Sequence, residues 1–169
     1  DVEDVGRAYR ERWPQFLAAV TGSGPLGINH EVPEGVPVGR QSLLDQNAIL
    51  AFAYAVGRAA NGSATRAGSR SSPLSVLDWG GALGHHQVLA RHLLPEVDLD
   101  YHCRELPAVC AVGRSIHSEV TFHDTDDCLS RRYDLILASN SLQYRQDWKW
   151  LLRALASAAE PWLFLSRVP

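Results

Sequence analysis

A chain of 169 residues, 46% of them hydrophobic, carries enough apolar material for a core, so one main domain with an N-terminal appendage is expected. Its formal net charge of -3 and pI near 6.2, with Lys and Arg scattered, leave no broad basic surface and argue against nucleic acid as a partner. It has no apolar run long enough for a bilayer, a charged opening (DVEDVGRAYRER), and three cysteines (Cys103, Cys110, Cys128) at spacings that fit neither disulfide nor zinc patterns, so a soluble, cytoplasmic chain without membrane or metal is expected.

Val2, Val5, Tyr9, Trp13, Phe16, Leu17 and Val20 recur at steps of three and four and predict an amphipathic helix, with Pro14 as a point of break or restart. Residues 21–39 are dense in Gly and Pro and read as a loop. Ser42 is placed to cap a second helix with an apolar face of Leu43, Leu44, Asn47, Ile49, Leu50, Phe52, Ala53 and Val56, ending near Asn61-Gly62. These elements make 1–62 a helical cap, and the Gly, Ser, Ala and Arg of 63–73 a flexible linker. Short apolar runs then alternate with helical segments: strands at 74–77, 99–103, 119–122, 133–138 and 162–166, helices at 86–94, 107–114 and 148–159. Parallel neighbours need crossovers of helical length, so this alternation predicts an α/β fold over 74–169, a doubly wound, mostly parallel sheet of Rossmann type. Ligands of such sheets bind beyond the carboxyl ends of the strands, where the strand order reverses.

The motifs fall at those ends. VLDWGGALGHH (76–86) is a strand, an acid at its end, a glycine turn and a helix start, in which Gly80, Gly81 and Gly84 admit close backbone approach and the helix offers N–H groups. A dinucleotide fingerprint needs Gly at the first, third and sixth positions of the turn. Counting from Gly80 gives Gly80, Ala82 and His85, so a nicotinamide-dependent oxidoreductase or epimerase loses two of three glycines. Glu105 follows the second strand, where such folds present an acid to a ribose, and a carboxylate accepts two hydrogen bonds at once. The bland alternatives are a plain strand-to-helix turn and a solvated acid beside Arg104. His102, Cys103, Cys110, His117, His123 and Cys128 lack the paired spacing of a zinc site.

The sequence Asp-x-Gly-x-x-x-Gly at Asp78, Gly80 and Gly84 resembles the first motif of class I methyltransferases, with Ala82 where that family commonly has Gly. Taken in order, LDWGGALGHH, DYHCRELP, TFHDTDD, YDLILASNSLQY and LFLSRVP resemble a family of bacterial methyltransferases of unassigned substrate, over roughly Ser42 to Pro169. The resemblance implies S-adenosylmethionine as cofactor: Asp78, Gly80, Gly81 and Gly84 at its amino-acid end, Glu105 on the ribose hydroxyls, Asp124 on the adenine amino group with Asp126 and Asp127 as competitors, and Ser139 and Asn140 bordering the methyl group. The exit is not Asn-Pro-Pro-aromatic, so a small-molecule or glycan-precursor acceptor, methylated at oxygen, is preferred over nucleic acid or protein amides.

A hydroxyl acceptor requires a base, for which His suits neutral pH. His85 and His86 sit at a helix start, whose positive end favours the neutral imidazole, and Tyr144 follows the strand exit; packing roles compete for all three. In members of that family the chain continues past Arg-Val-Pro, so a chain truncated after the fifth strand is expected, as is a fragment from its lack of Met, and with it a non-catalytic binding module as the alternative. The N-terminal helices are expected either to cap the cofactor, with Arg40, Gln46 and Asn47 as polar contacts, or merely to cover the sheet. Oligomeric state is not encoded in any motif.

Overall fold

The computed structural model describes residues 2–22, 43–67 and 72–167. Most of the predicted loop, Arg40, the Ser42 cap and the middle of the predicted linker lie outside them. The elements are α1 (Val2–Thr21), α2 (Leu43–Ala67), β1 (Leu74–Trp79), α3 (His85–Leu93), β2 (Leu99–Arg104), α4 (Pro107–Ile116), β3 (Val120–His123), β4 (Tyr133–Ser139), α5 (Trp148–Ala158) and β5 (Ala159–Ser166), with 3-10 turns at Asp126–Ser130 and Leu142–Tyr144.

All four strand pairings are parallel, and the order is β3-β2-β1-β4-β5. Chain order reverses between β1 and β4, so a crevice opens at their carboxyl ends. Alternation along the strands divides the core in two. Val76, Tyr101, Cys103, Leu135 and Leu137 face one layer with Leu83, Leu89, Val109 and Cys110, whereas Leu77, Trp79, Tyr133, Ile136 and Ala138 face the other with Leu151, Leu155 and Ala158 of α5. Both faces are covered, which is why β1 and β4 read as nearly continuous apolar runs.

The N-terminal helices contribute side chains to this core. Trp13, Phe16 and Val20 of α1 and Ile49, Phe52, Val56 and Ala59 of α2 join the same buried cluster as β1 and β2. Pro14 sits inside α1 without ending it. Gly6 lets α1 approach α4 closely, since a Cβ there would lie 3.2 Å from the Ala108 carbonyl oxygen. Val5 and Leu50, expected on apolar faces, remain exposed.

α2 also runs beyond its predicted end near Asn61-Gly62, to Ala67. Tertiary contacts override the poor helix propensity of Asn-Gly-Ser. Gly62 packs against the Trp162 indole, and Ser63 Oγ donates to Asp134 Oδ1 at 3.1 Å. The second carboxylate oxygen of Asp134 accepts the Ser75 N–H at 3.0 Å, tying α2 to the starts of β1 and β4. No helix among the described residues is long and apolar enough to cross a membrane.

Candidate functional site

A cavity opens over the crevice, lined by the exits of four strands and roofed by the two N-terminal helices. Gly80, Gly81 and Ala82 follow β1, Glu105 follows β2, Ser139, Asn140 and Ser141 end β4, and Ser166 and Arg167 end β5. His85 and His86 enter from α3, Tyr9 from α1, Ala48 and Phe52 from α2, with Phe164 and Tyr144 completing the wall.

Two glycines make the turn possible. Gly80 has φ of +75°, and a Cβ there would lie 2.6 Å from Ser141 Cβ. A Cβ on Gly81 would fall 2.3 Å from Asp78 Oδ2, so the turn rests directly on that carboxylate. Ala82 takes φ of +52° without being glycine, and its N–H reaches Glu105 Oε1 at 3.3 Å. The other Glu105 oxygen accepts the Leu106 N–H at 2.7 Å, so the acid joins the turn to the exit of β2. Burial raises the Glu105 carboxyl above its ordinary pKa, against the pull of these two N–H groups. Ser141 Oγ is buried on the cavity wall with no hydrogen-bond partner among the described residues.

The two adjacent histidines are distinct. His85 is packed by ring contacts from α1, with centroids 4.4 Å from Phe16, 5.1 Å from Trp13 and 6.1 Å from Tyr9. His86 instead turns Nδ1 to Asp78 Oδ2 at 2.9 Å and packs its ring on Phe52. Nδ1 is thus committed to Asp78, and the ring lies on the cavity wall.

Asp78 does not line the cavity: it is 1% exposed, beneath Gly81, where it receives the Tyr101 hydroxyl and His86. Gly84 faces His117 and Val120 with φ of +83°, at the start of α3 and off the cavity wall. Asp124 is ion-paired with Arg114 at 3.1 Å and stays outside the cavity. Asp126 lies between Arg104 and Arg145, and Asp127 accepts the Thr125 hydroxyl. The reason is topological: β3 is an edge strand two places from the β1–β4 crevice, and its exit turns into a 3-10 turn. Gln46 and Asn47 do not reach the wall; their neighbours Ala48 and Phe52, one helical turn apart, do.

Tyr144 is where the motif put it, on the wall, but 76% exposed at the rim. Sequence reasoning missed Tyr9, Phe52, Ser141, Phe164 and Arg167 on the wall and Tyr101 beneath it. Only Ser141 carried a signal, as the next residue of the Ser139-Asn140 exit; the aromatics sit in apolar patterns identical to core positions. Among the described residues no group of His, Cys, Asp and Glu is arranged to hold a metal ion.

No protein-family model matches the chain, and no curated protein matches it by sequence. Solved structures do match by shape. An O-methyltransferase family protein from Burkholderia thailandensis superposes with a TM-score of 0.50 at 16% identity, covering 70% of this chain and 35% of its own. The plantazolicin methyltransferase BpumL, solved with a pentazolic desmethylPZN analogue and SAH, gives 0.48 at 17% identity over 94% of this chain and 55% of its own. Magnesium protoporphyrin IX methyltransferase (ChlM) from Synechocystis PCC 6803, with bound SAM, gives 0.47 at 15% identity over 98% and 76%. The chain thus spans about half the length of the plantazolicin methyltransferase (55%). From its all-parallel β3-β2-β1-β4-β5 sheet and the Burkholderia match, the chain has the Rossmann-like fold of class I methyltransferases.

Proposed function

We propose that this chain holds the S-adenosylmethionine site of a methyltransferase that acts on a small molecule or glycan precursor at oxygen. The observation that carries the reading is the convergence, at the strand-order reversal, of a glycine turn that side chains would close, a ribose-competent carboxylate at Glu105 and the buried, unpartnered Ser141 hydroxyl. That donor and acceptor set fits a nucleoside with an amino-acid arm. Gly80 and Gly81 would admit the arm, Glu105 would accept from the ribose diol, and Ser139, Asn140 and Ser141 would border the reacting end. S-adenosylmethionine would supply, when bound, a methyl group on a sulfonium, for transfer to an acceptor oxygen as the carbon–sulfur bond breaks and its electron pair stays on sulfur.

The remaining chemistry belongs to the chain. Aligning an acceptor and excluding water are the main requirements of a direct displacement. Tyr9, Ala48, Phe52 and Phe164 supply apolar walls, so the N-terminal helices would help select the acceptor. His86 would take the acceptor proton on Nε2, while His85, packed by α1, would hold the wall in shape, and Tyr144 would act at the rim. Location in the cytoplasm is part of the same proposal, consistent with three unpaired, buried cysteines.

Calorimetric titration with S-adenosylmethionine and S-adenosylhomocysteine tests the reading. Micromolar binding that Glu105→Ala weakens, without binding of a nicotinamide dinucleotide, is expected. A flat titration with both adenosyl compounds would remove it.

A further inference from the structure

Asp78 Oδ2 accepts two hydrogen bonds inside the core. The Tyr101 hydroxyl donates to it at 2.9 Å, and His86 Nδ1 lies at the same distance on the same atom. Tyr101 and Asp78 are 2% and 1% exposed, so neither bond is shared with bulk water. A buried hydroxyl costs free energy unless it is bonded, and Phe would fill this apolar site equally well. The phenol therefore has its use in the carboxylate. Burial, and then the charge of Asp78, push the Tyr101 hydroxyl well above its ordinary pKa, so it keeps its proton and remains a donor. A carboxylate oxygen that accepts from Nδ1 makes Nδ1 the hydrogen-bearing nitrogen, so in the neutral ring the lone pair is on Nε2. Sheet register brings the three groups together: Tyr101 pairs with Val76, two residues before Asp78 on the same face.

We propose that Tyr101 is a positioning residue which, through Asp78, locks the His86 ring in its Nδ1–H form and so presents Nε2 to the cavity as a ready proton acceptor. Tyr101 touches neither the cavity nor a reacting atom. It acts on one oxygen of Asp78, whose other neighbour is the Gly81 turn, so cofactor loop and imidazole are oriented by a single buried group. The inference rests on the proposed methyl-transfer site for its catalytic meaning; the tautomer itself does not depend on that reading.

The experiment is long-range 1H–15N correlation on the whole chain with 15N-labelled histidine, with His86 assigned by its disappearance in His86→Gln. The expected result is an Nδ1–H, Nε2-unprotonated pattern for His86. In Tyr101→Phe, which removes an O–H and keeps the ring, His86 signals are expected to shift toward the average of the two tautomers, while those of His102 and His123 stay in place. An Nε2–H pattern in the unsubstituted chain overturns the proposal, and so does a folded Tyr101→Phe chain with unchanged His86 signals. Titration of the unsubstituted sample with S-adenosylmethionine reports separately on the methyl-transfer reading.

Discussion

The sheet carries two histidine–aspartate pairs, on opposite faces, and they have opposite characters. On the α3 face, His86 engages Asp78 through Nδ1 alone and lines the cavity. On the α5 face, His102 is engaged at both nitrogens: Nδ1 with His123 Nε2 at 2.9 Å, Nε2 with Asp100 Oδ1 at 3.1 Å and Arg131 at 3.0 Å. Arg131 also pairs with Asp100 and reaches Ser75 near the amino end of β1, away from the crevice. The second cluster braces the sheet, with both ring nitrogens of His102 occupied. Residue type and a close carboxylate are common to both; what differs is the end and face of the sheet on which topology leaves them.

The sharpest way to break this comparison is to remove each imidazole in turn. With an acceptor found by screening hydroxyl compounds against radiolabelled S-adenosylmethionine, His86→Gln should slow transfer by about 100- to 10,000-fold, the range for losing a general base, while cofactor binding persists. His102→Gln should leave transfer intact and cost about 1–3 kcal/mol in a urea melt, because His123 and Asp100 lose buried partners. Equal rate losses in both variants would end the distinction.

Gly81→Ala strikes the seat beneath the first pair, since the new methyl would land 2.3 Å from Asp78 Oδ2. Expected are loss of S-adenosylmethionine binding by calorimetry and destabilisation of about 1–3 kcal/mol from overpacking. Near-normal binding would mean that the turn moves freely off the carboxylate.

Glu105→Gln should weaken cofactor binding about tenfold, by loss of a charge-assisted bond to the ribose diol. It should also change stability with a definite sign. Burial raises the carboxyl's pKa in the fold, so the protonated acid is favoured there: its contribution is complete below the unfolded value of about 4.3 and lost as pH rises through the raised folded value. Relative to the unsubstituted chain, the glutamine variant should therefore gain stability between pH 4 and pH 7, read from urea midpoints. A loss over that interval would contradict the assignment.

The smallest effect belongs to the second cluster in acid. Burial lowers the pKa of His102, with Asp100 opposing and Arg131 reinforcing, and His123 is lowered by burial and by His102 itself. Neutral His102 thus contributes stability that is present above the unfolded value of about 6.5 and lost as pH falls toward the depressed folded value. His102→Gln should flatten this part of the stability profile, and an unchanged slope would assign it to other groups.

The pattern of residues predicted most of this fold. Five strands and three crossover helices were each found within a few residues, because burial on both faces of a parallel sheet writes continuous apolar runs, and amphipathic helices write a period of 3.6. The glycine turn was legible for a similar reason: Gly80 and Gly81 stand where close contacts with Ser141 and Asp78 admit no Cβ. Position in the chain also put Glu105, Ser139, Asn140 and His86 at the cavity.

Periodicity records that a side chain is buried but not what it is buried against, and the remaining features all turn on that difference. Phe52 belongs to the core and Tyr9 packs against it, as their periodicity predicts, and both also line the cavity because α1 and α2 cross the crevice. Asp124, expected at the adenine amino group, lies at the exit of the edge strand β3 in an ion pair with Arg114. Asp78, expected at the cofactor, lies buried under the turn with His86 on its carboxylate, and Tyr101 reaches it from 23 residues later through sheet register. The sequence by itself determined which segments form strands, helices and the glycine turn, since those depend on local pattern and backbone conformation. Only the tertiary structure decided which histidine of His85 and His86 faces a carboxylate and which faces aromatic rings, because that choice is made by elements distant in the chain.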